Sequence, residues 1–212
     1  MAIKDWPAFQ SDKAFWPESA ELVQWHNNKA HESPLAGDIQ TQSVPGARWG
    51  WILNFPKQTW AERGRLLAFL TALNGMEHRV RLFDPRRPTL GTLVGETGVV
   101  LSNGASQFGE SVSLFKTGIV GKTLLRGAWL NVATIGTNGQ LVQVVADATA
   151  NGSNVITVEI RHPLRAAVSS GAGVTLLDPT GLYIHESTQF GTAYDAALAR
   201  PMSIQLREAF SA

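Results

Sequence analysis

The segment Gly118-Ile-Val-Gly121-Lys122-Thr123 comes nearest in this chain to a phosphate-binding loop. The complete motif needs a further glycine five positions before Gly121, and Lys116 stands there instead. A phosphate loop also joins a strand to a helix, whereas the residues on both sides of this segment have strand-like patterns. We therefore predict that Gly118–Thr123 is a structural turn before a strand.

The histidines are the next candidates, as metal ligands or as general bases: His26, His31, His78, His162 and His185. No two of them have the i, i+4 spacing of a helical zinc site, and the chain has no cysteine. We expect histidines at the surface or at sheet edges with ordinary hydrogen-bond partners. A metal site assembled across strands remains the alternative.

The sequence also contains no complete motif for a catalytic serine nucleophile. Ser106 comes nearest to a G-x-S-x-G elbow, but Phe108 stands where the second glycine should be. Asn151-Gly-Ser153 matches a glycosylation sequon, and a hairpin turn explains it better. Sequence alone pairs no two carboxylates for glycoside hydrolysis. We predict a protein that is not an enzyme, with no catalytic residue, no cofactor and no metal.

Two groups of side chains are candidates for binding. Trp25, Trp49 and Trp51 could form a sugar-stacking platform, but Trp49 and Trp51 share a strand face with Leu53 and Phe55, which favours a core or a subunit interface. Arg79 and Arg81 lie on the outer face of a predicted strand, where arginines are usually solvated and where they could also reach a neighbour's carboxylate. The candidate subunit-interface residues are Trp25, Arg79 and Arg81.

The composition of the 212-residue chain narrows the possible partners. Its net charge is +1, so no electrostatic footprint for nucleic acid or an anionic membrane is present. Charged residues are 17% of the chain, against roughly 25% in an average protein, which favours surface hidden in a partner. No apolar run marks a signal peptide or a membrane span, and we expect synthesis in the cytoplasm.

The first third of the chain predicts strands around one helix. Glu21–His26 and Arg48–Phe55 have strand patterns, and the polar, turn-rich segment Asn27–Gly46 between them predicts a protruding hairpin. Thr59-Trp-Ala-Glu62 is a capping box, and Leu66, Phe69, Leu70 and Leu73 follow at helical spacing until Asn74-Gly75. The helix is predicted at 60–74, and Met76–Phe83 is predicted to be a strand.

The middle of the chain differs in composition from both ends. Residues 90–179 hold 10 of the 35 charged residues but 13 of the 20 glycines, which predicts a separate domain of short strands and turns. Asn103-Gly104, Asn138-Gly139 and Asn151-Gly152 are predicted type I′ turns. The clearest predicted hairpin joins Leu141–Ala146 to Asn154–Ile160. Gly173–Leu177, Leu182–His185 and Ser203–Phe210 are further predicted strands, the last alternating again.

These elements predict a mainly β protein with two domains. Residues 1–89 and 180–212 would form a discontinuous, β-sandwich-like ring domain with the helix at 60–74 and the hairpin around 27–46. Residues 90–179 would form an inserted peripheral β-barrel or sandwich.

Two stretches resemble a known family. The aromatic strand, the capped helix Thr59–Asn74 and the following Gly75-Met-Glu-His-Arg-Val-Arg-Leu-Phe-Asp-Pro85 resemble the strand–helix–strand arrangement of siphophage distal tail proteins. Val144–Gly181 is similar to a segment of phage tail-tip proteins. Its matching motifs are Pro163-Leu164-Arg165, Gly171-Ala172-Gly173-Val174 and Pro179-Thr180-Gly181, and His162 before the first of them is a departure from the pattern.

The resemblance implies a structural virion protein at the phage tail tip. Such proteins form a hexameric adaptor ring between the tail tube and the baseplate hub, with the tape measure passing through the lumen. By resemblance, 27–46 would be the belt of the ring and 90–179 a peripheral domain able to carry tail fibres. From the near-neutral charge we expect no specific binding to nucleic acid or membrane. The alternatives are a carbohydrate- or receptor-binding tail module, and a small β-barrel hydrolase, which no motif supports.

Overall fold

The computed structural model describes residues 2–7, 12–32, 39–43, 46–83, 90–133, 139–186, 191, 193, 195 and 198–209. Strands make up 44% and helical segments 9%, so the predicted mainly β class is confirmed. The described part holds one α-helix, α1 (Trp60–Ala72), and a short 3₁₀ helix, Lys13–Phe15. The strands are β1 Ile3–Asp5, β2 Ser19–Trp25, β3 Asn28–Glu32, β4 Ile39–Ser43, β5 Arg48–Phe55, β6 Arg79–Leu82, β7 Val99–Leu101, β8 Ser111–Phe115, β9 Thr123–Leu124, β10 Trp129–Val132, β11 Gln140–Val144, β12 Ala148–Thr149, β13 Val155–Arg161, β14 Gly173–Thr175, β15 Gly181–His185 and β16 Met202–Glu208.

Internal contacts divide the chain into two compact units. The first comprises Met1–Arg79 with Tyr183–Ala209, and the second contains Val80–Leu182. The two crossings therefore fall within β6 and β15. The sequence predicts the crossings at 89/90 and 179/180, outside these two strands.

A six-stranded sheet in the order β1-β6-β15-β16-β5-β2 organises the first unit. The predicted strand at 48–55 has exactly the bounds of β5, and its alternating residues Trp49, Trp51, Leu53 and Phe55 are buried. β16 lies antiparallel to β5 with Leu206 opposite Trp51, so the last strand returns to the first sheet. Phe210, which the prediction placed on the inner face of this strand, lies outside the described residues.

Helix α1 begins with the predicted capping box. The Thr59 hydroxyl accepts a hydrogen bond from the Glu62 backbone N–H (3.3 Å), and Glu62 Oε2 accepts one from the Thr59 backbone N–H (3.0 Å). The backbone hydrogen bond from Thr59 is the main cause that lowers the pKa of Glu62. At the other end, Asn74 and Gly75 have φ of 49° and 64°, the left-handed conformation that ends helices.

The buried stripe of α1 joins an aromatic cluster. Leu66, Leu70 and Leu73 are buried, while Phe69 packs edge-on against Trp6 with ring centroids 5.3 Å apart and against Phe15 at 5.5 Å. Such edge-to-face pairs stabilise beyond the area they bury. The 3₁₀ helix that carries Phe15 thus closes one side of the helix.

The predicted strand Met76–Phe83 is shorter in the structure. Residues 74–78 form turns that follow the helix, and the strand β6 starts only at Arg79. The Arg79 guanidinium donates to the Met76 carbonyl (2.8 Å), which holds the turn against the strand. Val80 and Leu82 are buried, as their alternation predicted.

A closed barrel of β10-β11-β13-β8-β7-β14 forms the second unit. Closure comes from β14 pairing with both β7 and β10, so no edge is left in this sheet. β13 alternates cleanly, with Ile156, Val158 and Ile160 fully buried. The barrel core is aliphatic and contains Leu93, Val94, Val99, Leu101, Val112, Leu114, Ile119, Leu124, Leu130, Val132, Val142, Val144, Ile156, Val158, Ile160, Leu164, Val168, Val174 and Leu176.

The predicted type I′ turns are wrong where the structure describes them. Neither Asn103-Gly104 nor Asn151-Gly152 has positive φ, and the left-handed residue beside the second pair is Asn154 at 60°. β11 and β13 do pair, but only through Gln143–Val144, because the chain between them first forms β12 beside β9. Asn138 lies outside the described residues.

Candidate functional site

The phosphate-loop-like segment is a turn before β9, as predicted. Its backbone N–H groups are occupied: Asn154 Oδ1 accepts hydrogen bonds from Gly118 (2.9 Å) and Ile119 (3.1 Å). The ammonium groups of Lys122 and Lys116 both contact the Glu96 carboxylate. Hydrogen bonds from Lys116 and then Lys122 lower the pKa of Glu96 to about 2. The backbone N–H groups of Gly118 and Ile119 and the ammonium group of Lys122 therefore bind other residues of the second unit, as in a structural turn.

Two histidines are more buried than predicted. His162 and His185 are each 4% exposed, which corrects the expectation of surface or edge positions. His185 lies on β15 opposite Leu206, inside the sheet, so its side chain faces the core side of that pair. Within the described ranges, no three His, Asp or Glu side chains cluster closely enough to hold a metal ion.

The other two chemical motifs have structural surroundings. Ser106 is exposed in the loop between β7 and β8, and its carbonyl accepts from the Gly109 N–H (3.0 Å). Asn151 Oδ1 accepts from the N–H groups of Ser153 (2.9 Å) and Val155 (3.1 Å), which shapes the turn before β13.

The tryptophans separate into two environments. Trp49 and Trp51 are each 3% exposed on the core face of β5. Trp25 is 37% exposed at the end of β2, and its ring lies against Gly50: a Cβ at Gly50 would be 2.0 Å from Trp25 Cζ3. The three rings therefore form no common platform. Of these three tryptophans, Trp25 alone is exposed enough to be a candidate surface residue.

Trp25 and the two arginines lie in distant parts of the sheet. β2 is an edge strand, whereas β6, which carries Arg79 and Arg81, is next to the opposite edge strand β1. Both arginines are half-buried rather than fully solvated. The sheet order thus separates the three predicted interface residues into two locations, four strand spacings apart.

The predicted hairpin is a separate two-stranded ribbon, β3–β4, which follows β2 and precedes β5 in the chain. Trp25 pairs with Arg48, and Asn28 pairs with Ser43 in the β3–β4 ribbon. On the returning side of the ribbon, Gly46 has a φ of 126°, a backbone conformation that favours glycine. We call the β3–β4 ribbon the arm.

The arm has no buried face. Its described side chains are all exposed, at 29–32 and 39–42. Lys29 and His31 share one face with their partners on β4, while Ile39, 60% exposed, shares the other with Glu32. Ribbons of two strands are marginal in water without a covering surface. The polar, turn-rich sequence predicts this hairpin around 27–46, and the two paired strands lie at Asn28–Glu32 and Ile39–Ser43.

No protein-family model matches the chain, and no curated protein matches its sequence. In the part of the chain that the structure describes, no helix combines the length and the apolar character needed to cross a membrane.

Proposed function

We propose that this chain is a structural, non-enzymatic protein of a bacteriophage tail tip. Six copies would form an adaptor ring between the tail tube and the baseplate hub, with the tape measure in the lumen and tail fibres as a further partner. The chain would be assembled in the host cytoplasm and reside in the virion. We infer the kind of assembly, a phage tail tip, from the resemblance of Thr59–Pro85 and Val144–Gly181 to tail-tip proteins.

The arm is the observation that carries the proposal. Ordering a residue costs roughly 1–2 kcal/mol of backbone entropy, and an arm with every described side chain exposed recovers little of that within one copy. A neighbouring copy that covers the arm would supply the missing burial. This is the role that the resemblance gives to a belt.

The open edge of the large sheet supports the same assembly. Among the described strands, β2 pairs only with β5, and its seven residues contain no proline or lysine that would block a further strand. A contact between two different surfaces of successive copies closes into a ring when the rotation between copies permits it. The near-neutral chain also suits a lumen that must release DNA.

The proposal is tested with two matched substitutions of exposed aliphatic residues. Ile39→Asp changes the arm, and Val120→Asp changes a turn of the barrel unit at comparable exposure, 60% and 56%. Both should leave the fold intact, because neither side chain is buried. We expect the parent and Val120→Asp to form rings by native mass spectrometry and electron microscopy, and Ile39→Asp to remain monomeric. A parent chain that stays monomeric alone and with tube and hub proteins would refute the ring.

The alternative is a carbohydrate- or receptor-binding tail module. Trp16 and Trp60 favour it, since they are 46% and 53% exposed. Trp16 follows Ala14 by two residues, and Trp60 follows Gln58 by two residues. The Gln58 side chain donates a hydrogen bond to the Ala14 carbonyl (3.0 Å), which connects the two segments that carry these tryptophans. Binding of the intact protein to a glycan array, lost in a Trp16→Ala/Trp60→Ala variant that still forms rings, would establish this function.

A further inference from the structure

Three Asn-Gly dipeptides lie in the described part of the chain: Asn74-Gly75, Asn103-Gly104 and Asn151-Gly152. Asn-Gly is the dipeptide most prone to spontaneous deamidation, because glycine has no side chain to hinder its own backbone nitrogen from attacking the asparagine carboxamide. The reaction needs a carboxamide that is free to turn toward that nitrogen. Hydrogen bonds that hold the side chain elsewhere therefore protect it.

Two of the three carboxamides are held. Asn151 Oδ1 accepts two backbone hydrogen bonds, from Ser153 and Val155. Asn74 Nδ2 donates to the Glu77 carboxylate, and the Asn74 carbonyl also accepts from the Glu77 N–H (3.3 Å). Turning the Asn151 carboxamide toward the Gly152 nitrogen would break both of its hydrogen bonds, and turning the Asn74 carboxamide toward the Gly75 nitrogen would break its contact with the Glu77 carboxylate.

Asn103 is different. It is exposed in the loop between β7 and β8, and within the described residues its side chain has no hydrogen-bond partner. The loop is fixed on both sides of Asn103. Before it, the Ser102 N–H donates to the Ser113 carbonyl (2.8 Å), and two residues after it, Ala105 and Val168 exchange two backbone hydrogen bonds of 2.8 Å. The side chain thus projects from an ordered loop with its reactive carbon open to water.

We propose that Asn103 is a site of spontaneous deamidation in the folded protein. The Gly104 nitrogen bonds to Asn103 Cγ and loses its proton as the Cγ–Nδ2 bond breaks, which releases ammonia and leaves a succinimide. Water then adds to either carbonyl of the ring and opens it to aspartate or isoaspartate. No oxidation or reduction occurs, and water is the only co-reactant.

The product changes the loop in two ways. One added carboxylate takes the formal net charge from +1 to 0. Isoaspartate also lengthens the backbone by one carbon, at a place where even a Cβ on Gly104 would lie 3.1 Å from the Val168 carbonyl oxygen. The Ala105–Val168 bridge should therefore open more often in the isoaspartate form, which hydrogen exchange at Ala105 would report.

The experiment follows deamidation of the intact chain in mildly alkaline buffer, folded and in denaturant, by tryptic peptide mapping. The peptides ending at Lys116 and at Arg79 contain Asn103 and Asn74 as their only asparagines, and tandem spectra resolve Asn151 in the peptide ending at Arg161. In denaturant the three sites should react at similar rates.

In the folded protein we expect Asn103 to react on the order of tenfold or more faster than Asn151, since two backbone hydrogen bonds hold the latter. An Asn103→Ser variant should lose the more acidic form on ion exchange. If folded Asn103 reacts no faster than Asn74 or Asn151, or stays intact while the denatured chain reacts, the inference is wrong.

Discussion

Gly50 offers the sharpest test of the packing in the large sheet. The residue is the third of β5, opposite Val23 on one side and Arg207 on the other. A Cβ at this position would lie 2.0 Å from Trp25 Cζ3, 2.5 Å from Trp25 Cη2 and 2.9 Å from the Leu206 carbonyl oxygen. The indole could move away, but the Leu206 carbonyl belongs to the backbone of β16 and yields only if the sheet distorts.

Gly50→Ala should therefore lower the free energy of unfolding of the first unit. Forcing an extra methyl group into a packed site costs about 1–3 kcal/mol. Replacing glycine in a strand returns roughly 0.5–1 kcal/mol of backbone entropy. We expect a net destabilisation of about 1–2 kcal/mol. Trp25, lifted from Gly50, should also show a changed fluorescence emission.

Gly64→Ala is the matched control in the same unit. Gly64 lies within α1, and nothing lies within 4 Å of a Cβ placed there. Because alanine is favoured over glycine in a helix, this change should raise the free energy of unfolding by about 1 kcal/mol. The same chemical substitution thus has opposite signs at the two positions.

Urea unfolding followed by tryptophan fluorescence measures both variants. A double-mutant cycle with Trp25→Ala separates the two contacts of Gly50. Removing the indole should relieve part of the cost of Gly50→Ala, leaving the contact with the Leu206 carbonyl, so the two changes should be non-additive by roughly 0.5–2 kcal/mol. Strict additivity, or a Gly50→Ala variant as stable as the parent, would refute the reasoning.

Three further predictions concern local contacts. Thr59→Ala removes the capping hydroxyl and should destabilise the first unit by about 1 kcal/mol in urea unfolding, whereas Thr59→Ser should retain most of the stability. Glu96→Gln should destabilise the barrel at neutral pH; because the folded-state pKa is about 2 against an ordinary 4.5, the deficit should be full above pH 4.5 and shrink as the pH falls toward 2. A deficit that grows with acidification would contradict the ion pairs with Lys116 and Lys122. Gly139→Ala would place Cβ 1.8 Å from Asn131 Oδ1 and 2.6 Å from the Val132 carbonyl oxygen, and should lower the barrel's melting temperature, while Gly152→Ala, with open space around it, should not.

Periodicity predicted the elements whose stability depends on one buried face. The sequence predicts strands β5, β13 and β16 because their alternating residues, such as Leu53, Ile156 and Leu206, are all buried in a core. The sequence predicts helix α1 because a stripe of leucines at helical spacing follows a capping box, and the capping box depends only on residues close in sequence. In each case the local pattern and the tertiary environment agree.

The type I′ turns predicted at Asn103-Gly104 and Asn151-Gly152 are absent, and the reason differs between the two pairs. Asn-Gly favours a tight two-residue hairpin, but Gly104 is needed where the backbone approaches the Val168 carbonyl, sixty-four residues away. At Asn151 the side chain shapes a longer turn, with the positive φ moved to Asn154. At Gly104, therefore, a contact between distant segments of the barrel overrules the local propensity, whereas at Asn151 the local hydrogen bonds of the side chain favour the longer turn.

Charged residues in the structure make the same point more strongly. Arg63 is fully buried in the first turn of α1, where Nη2 donates to the Arg200 carbonyl (2.8 Å), although helical position alone would leave an arginine at the surface. Glu96 meets lysines twenty and twenty-six residues away on opposite sides of one turn. Pairings of this kind depend on which segments the fold brings together, and no spacing rule contains that information. The arm is the reverse case: its residues pair locally, as the sequence predicts, and its described side chains are exposed. Because a two-stranded ribbon is marginal in water without a covering surface, we propose that a neighbouring copy covers it, and a measurement of the assembly state tests that proposal.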